Sequence, residues 1–202
     1  MVRMAVVATS KPRAERDEDL KAIALVNRKR AYDLLIQRYR EKIFYHALYI
    51  LKDPQEAKDV AQEVFIRSFK ETKAFDPDFK VKAWLFRVCT NLCYNIVRDK
   101  KRRTGILDNL GRQDIHPAPM NAADHTEKRE MSVRMTAAMD QLSLAHRTIL
   151  LLKYWDDLSY LEISEVLDVK LGTVMSRLSR AKEKLSLVLE RERWHEAEGL
   201  TV

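Results

Sequence analysis

Glycine and proline are scarce, 4 and 5 among 202 residues, and no stretch alternates apolar and polar residues at period two. A strand-rich fold is therefore excluded and an all-helical protein is expected. Cysteine is almost absent. The two present, Cys89 and Cys93, stand one turn apart in an apolar helical pattern, so they share a face and cannot form a structural disulfide within regular helix. A reducing cytosol fits them. Half a metal site or a redox pair is the alternative, with no third or fourth ligand nearby. Long apolar runs are missing too. The run ending at Ala8 is shorter than a signal-peptide core, so neither secretion nor a membrane span is expected. There is also no ligand pair at metal spacing, no glycine-rich phosphate loop and no nucleophile beside a base, so no enzyme and no cofactor is expected.

What is abundant is charge and helix formers. Lys and Arg number 37 against 30 Asp and Glu, a net charge of +7 and a pI near 9.4. That balance is compatible with a polyanionic partner, and the distribution of the cations has to decide.

Residues 1–20 are small, polar and charged, and read as a flexible leader. Apolar residues then recur at helical intervals from Ile23 and Val26 through Leu34, Leu35, Tyr39, Ile43, Ala47 and Leu51, as one long helix or two. Asp53 is a candidate N-cap with Pro54 at the first helical position and Glu56 three residues after the cap. In the helix that follows, Ala57, Val60, Ala61, Val64, Phe65, Ser68 and Phe69 fall on one side, and Asp59, Gln62, Glu63, Ile66 and Lys70 on the other. An isoleucine among carboxylates on the outside of a basic protein points to a docking surface; a plain solvated face is the alternative.

Pro77 breaks the pattern between Phe75 and Phe79, which leaves a short aromatic loop. A helix from about Val81 carries Trp84, Leu85, Val88, Cys89 and Leu92 at inward spacing. It ends in Arg98, Lys100, Lys101, Arg102 and Arg103, five cations in six residues, more than a helix dipole calls for and suited to phosphates. Apolar periodicity then stops. Residues 104–130 read as a linker with Gly105, Gly111, Pro117 and Pro119, and four carboxylates against Arg112 between Thr104 and Glu127. Helical pattern resumes over 131–190, and residues 191–202 form a tail.

Within 131–190, Ser159 caps a short helix, Asp168 to Lys170 form a turn, and a second helix starts near Gly172 or Thr173. Val174, Leu178, Ala181 and Leu185 face inward, while Thr173, Met175, Ser176, Ser179 and Arg180 face out with Arg177 at the flank. This is a helix-turn-helix whose exposed hydroxyls and guanidinium groups suit base edges and phosphates in a major groove; a packing motif is the alternative. Asp168 stands where such turns often carry glycine. His46 and His146 read as ordinary helix residues.

Asp59-Val-Ala-Gln-Glu-Val-Phe65 resembles the D-x-x-Q-E-x-F motif of region 2 in the extracytoplasmic-function (ECF) sigma factors, the smallest sigma-70 proteins. Ala83-Trp-Leu-Phe-Arg-Val-Cys-Thr-Asn91 resembles the family's W-L-x-x-I-A-x-N segment, and Ser159-Tyr-Leu-Glu-Ile-Ser and Gly172-Thr-Val-Met-Ser-Arg-Leu-Ser-Arg-Ala181 resemble region 4. The resemblance covers about residues 25–190 and lies in the joint order of the motifs.

The resemblance implies two helical domains, 21–103 and 131–190, and three partners: core RNA polymerase, promoter DNA and an anti-sigma factor in the cytoplasm. It assigns polymerase docking to Asp59, Gln62, Glu63 and Ile66. It assigns reading and melting of the −10 element to Phe75, Phe79, Lys80, Trp84, Arg87, Asn91, Asn95 and the Arg98 to Arg103 cations, with a flipped base pocketed and its strand held by charge. It assigns the −35 element to Thr173, Met175, Ser176, Arg177, Ser179 and Arg180. Met175 and Ser179 replace residues that are often basic or larger in the family. An operator-binding helix-turn-helix regulator is the alternative; it leaves the outer face of the Pro54 helix and the 75–103 segment without a task and normally needs a dimer.

Overall fold

The structure, a computed structural model, describes residues 17–104 and 134–197, with side chains to residue 103 in the first stretch and 191 in the second. Most of the expected leader, the expected linker after Thr104 and the side chains of the tail after Arg191 lie outside the described residues. Every regular element among the described residues is helical. The first unit holds α1 (Asp17–Val26), α2 (Arg28–Leu51), α3 (Pro54–Lys70) and α4 (Val81–Thr104). The second holds helical residues 134–140 (α5), α6 (Leu144–Leu150), a π-helical turn (Leu151–Trp155), α7 (Tyr160–Leu167) and α8 (Leu171–Ala197).

Local chemistry sets the breaks. Asn27 stands in extended backbone and its side chain accepts from Arg30 N at 3.0 Å, so α1 and α2 are two helices rather than one. Lys52 turns left-handed at φ 60°, and Asp53 then accepts from the amides of Gln55 and Glu56 at 2.8 and 3.0 Å, capping α3 as its sequence predicts. Leu35 and Ile43 of α2, Val64 of α3 and Leu85, Phe86 and Cys89 of α4 are fully buried and form the centre of the first unit. Burying each large aliphatic side chain contributes about 1.5–3 kcal/mol.

Three expectations need correction. Val26 is 91% exposed and Phe69 70% exposed, although helical spacing puts both inward. Each lies at the end of its helix, where the stripe has run past its neighbour; Phe69 covers the Tyr32 ring from outside, with centroids 5.1 Å apart. His46 is no ordinary helix residue: it is 2% exposed and bonded on both ring nitrogens. The leader also yields residues to the fold, since Leu20 is fully buried and Asp17 pairs with Arg38 at 2.8 Å while accepting from the Tyr39 hydroxyl at 2.9 Å.

The two units pack together. His46 Nδ1 meets Asp156 Oδ2 at 2.6 Å, Arg147 Nη1 donates to Tyr49 O at 3.4 Å, and the rings of Tyr49 and Trp155 lie 5.7 Å apart. Around them α7 lies along α4. In the second unit Met139, Ile149, Leu150, Leu152, Leu158 and Ile163, with Val174, Leu178 and Ala181 of α8, are buried in one apolar cluster continuous with the core of the first unit.

Candidate functional site

The outer face of α3 is built by its cap and by neighbouring charges. Asp59, Gln62 and Ile66 are exposed, Ile66 by 42%. Glu63 is half-buried and held by Arg67, whose Nε donates to its Oε1 at 2.7 Å one turn on. Glu56 in the first turn reaches the basic end of α4, accepting from Lys100 Nζ at 2.6 Å. The four residues assigned to docking therefore share one helix face, beside an apolar neighbour in Phe69 that inward spacing had hidden.

The loop from Glu71 to Lys80 has a pinned half and an open half. Arg28 donates to Thr72 O at 2.8 Å, and its guanidinium lies 5.8 Å from the ring centroids of both Tyr32 and Phe75. Phe75 packs edge-on against Tyr32 at 4.8 Å and is 9% exposed. Arg28 escaped the sequence reading because it lies 44 residues from Thr72, and no local pattern links them. The open half carries Phe79, half-buried, its ring 6.1 Å from that of Trp84. These two rings, with Asp78, Lys80, Ala83, Arg87 and Glu165, line a cavity of about 300 Å³. Phe75 thus stands behind the loop, while Phe79, Lys80, Trp84 and Arg87 meet at one opening.

Along α4, Arg87, Asn91, Asn95 and Arg98 follow at helical spacing and are all exposed, a stripe leading from the cavity to the exposed cations Lys100 to Arg103. The opposite face is apolar. Cys89 and Cys93 are buried there as free thiols, and burial pushes the Cys89 thiol well above its usual range.

In the second unit Ser159 and Glu162 form a capping box: Ser159 Oγ accepts from Glu162 N at 3.2 Å, and Glu162 Oε2 accepts from Ser159 N at 2.7 Å. Asp168 takes the left-handed conformation, φ 51° and ψ 51°, that the turn requires. On α8 Met175, Ser176, Ser179 and Arg180 are exposed, and Thr173 and Arg177 are half-buried. A Cβ built on Gly172 meets nothing within 4 Å. His146 of α6 lies beneath this surface; burial, and then the charges of Lys184, Arg180 and Arg177, push its pKa below the ordinary value. The exposed side of α8 is thus a cationic face. Among the described residues no helix is long and apolar enough to cross a membrane.

The family description "Sigma-70 region 2" matches residues 35–103, and "Sigma-70, region 4" matches residues 132–185. The ECF RNA polymerase sigma factor SigW of Bacillus subtilis is 33% identical, over 77% of this chain and 87% of its own. The RNA polymerase sigma-H factor of Pseudomonas aeruginosa is 31% identical, over 86% of this chain and 95% of its own. Among solved structures, the sigma factor RpoE in complex with the anti-sigma factor NepR from Bartonella quintana superposes with a TM-score of 0.66 at 20% identity, over 79% of this chain and 96% of that one. CnrH in complex with the cytosolic domain of CnrY gives 0.64 at 24% identity, over 87% and 97%.

Proposed function

This chain belongs to the extracytoplasmic-function sigma factors of the sigma-70 family, which are not enzymes, and from that premise we propose how it works. It binds core RNA polymerase through Asp59, Gln62, Glu63 and Ile66 of α3. The first unit reads and melts the −10 element, and the second reads the −35 element as duplex. The observation that carries this reading is the continuous path on α4: an aromatic cavity at Phe79 and Trp84, then Arg87, Asn91, Asn95 and Arg98, then the cations to Arg103. An unstacked base needs a ring-lined pocket and its strand needs charge alongside, and both are supplied in order.

Thr173, Met175, Ser176, Arg177, Ser179 and Arg180 present hydroxyls, a thioether and guanidinium groups on one side of α8, the chemistry of a recognition helix. The protein works in the cytoplasm, where polymerase and promoters are. A dedicated anti-sigma factor restrains it; that partner is proposed because a relative of the same fold is solved with one.

The test is reconstitution. Purified core polymerase with this protein gives initiation at a specific promoter that core alone does not start, and a pull-down retains the protein on core. Tight, specific binding to a two-fold operator without polymerase would instead establish the stand-alone regulator.

A further inference from the structure

The aromatic loop is held from outside by α1 and the first residue of α2. Its own turns are closed by Ala74 N on Glu71 O at 3.3 Å, Asp76 N on Lys73 O at 2.8 Å and Phe79 N on Asp76 O at 3.0 Å. The carbonyls of Thr72 and Pro77 take no part in those bonds. Arg28 donates to Thr72 O at 2.8 Å and to Glu71 O at 3.4 Å, and Lys21 donates through Nζ to Pro77 O. One cation thus grips the loop before Phe75 and the other grips it after, two residues ahead of Phe79. Both anchors are themselves fixed. Leu20, next to Lys21, is fully buried, and Asp17 one turn earlier accepts from Arg38 and Tyr39 of α2. Arg28 follows the Asn27 cap and lies over the rings of Tyr32 and Phe75. A loop that reads a ligand depends on such a rigid scaffold beneath it. The match to sigma-70 region 2 begins at Leu35, so neither cation lies within it.

We propose, resting on the function above, that Lys21 and Arg28 are positioning residues for −10 recognition: they hold the 72–77 backbone so that Phe79 meets the unstacked base at the cavity mouth, and so set which base is accepted there. Neither side chain lines the cavity itself. Direct phosphate contact is the competing role for two cations near a DNA path. The geometry favours positioning, because Arg28 already serves two carbonyls while covering two rings. A planar guanidinium fork can do both at once, and a lysine ammonium in its place keeps the charge but loses the fork. Arg28→Lys therefore separates the two roles.

The experiment uses the holoenzyme, core polymerase with the full chain, on the promoter found by reconstitution with its −10 positions randomised. Transcript counts for each sequence give the preference at each position. Arg28→Lys, Lys21→Met, the double variant and Lys21→Arg are compared with Lys29→Ala, an exposed neighbouring cation removed as a charge control. The double variant is expected to lose preference at one −10 position by about tenfold, within the roughly hundredfold that a misplacement of about 1 Å costs. Each single change loses part of it, and Lys21→Arg, which can still donate to Pro77 O, keeps it. Retention on core and preference at the −35 positions stay unchanged. Preferences equal to the control overturn the proposal. So does a loss uniform across −10 sequences with a shallower salt dependence, which would make the two cations phosphate contacts. A parallel loss of core retention overturns it too, by showing a general structural role. If Arg28→Lys does not fold, Lys21→Met and its Lys21→Arg rescue decide. Wild-type protein that starts no transcription with core polymerase overturns the function instead, a result distinct from normal initiation with unchanged preferences.

Discussion

His46 and Asp156, 110 residues apart in sequence, share a 2.6 Å hydrogen bond with side chains almost closed to solvent. Burial pushes the Asp156 carboxyl above its ordinary pKa even though His46, Lys42 and Lys82 pull it down. With Nδ1–H donated to Asp156, a neutral His46 accepts the Thr90 hydroxyl at Nε2, and a protonated one donates at both nitrogens.

Removing one partner strands the other. His46→Leu and Asp156→Leu are each expected to lose about 3 kcal/mol in urea unfolding, while the double variant loses much less than the sum. Additive losses would show that the pair is not coupled.

Cys89 is fully buried and its thiol pKa is raised, by desolvation first and by Cys93 next. Neither thiol is expected to react with a disulfide reagent at pH 8 until denaturant is added. For an acid whose folded pKa is raised, the contribution to stability is complete below the unfolded pKa, near 9.0, and falls as pH rises towards the folded value. Thermal midpoints of the wild type therefore drop above pH 9 more than those of Cys89→Ala.

Charge reversal of Asp59 and Glu63 to Lys is expected to abolish retention on core polymerase with helicity unchanged. The lost Glu63 to Arg67 contact is half-exposed, so it accounts for no more than about 0.5 kcal/mol of stability. Undiminished retention would remove α3 from the docking surface.

Arg180→Ala in the holoenzyme is expected to cost about 1–3 kcal/mol at the promoter and to relax preference at one −35 position. A loss uniform across sequences would make Arg180 a phosphate contact.

Gly172 has open space where a Cβ would stand. Gly172→Ala is expected to raise the stability of the free protein by up to about 1 kcal/mol, since alanine loses less backbone entropy in a helix. If DNA binding weakens while stability rises, the glycine is there for close approach of the duplex.

The fold class, the caps of α3 and α7 and the inward stripe of α8 were legible from sequence because each depends on residues within a few positions of one another. Asp53 caps amides two and three residues on, and Ser159 and Glu162 bond reciprocally across one turn. The outward set on α3 and the cationic run ending α4 were legible for the same reason. Helix ends were misread, as at Val26 and Phe69, because periodicity assumes a neighbour along the whole stripe.

The sequence by itself thus determined the helices, their faces and the order of the motifs, since propensity, capping and period act locally. Only the tertiary structure decided that Arg28 braces the loop before the cavity, that Phe75 stands behind it while Phe79 lines it, and that Glu165 closes it from the other unit. It alone turned His46 from a helix residue into the centre of a buried junction, because a partner supplied from 110 residues away leaves no trace in the spacing of its neighbours.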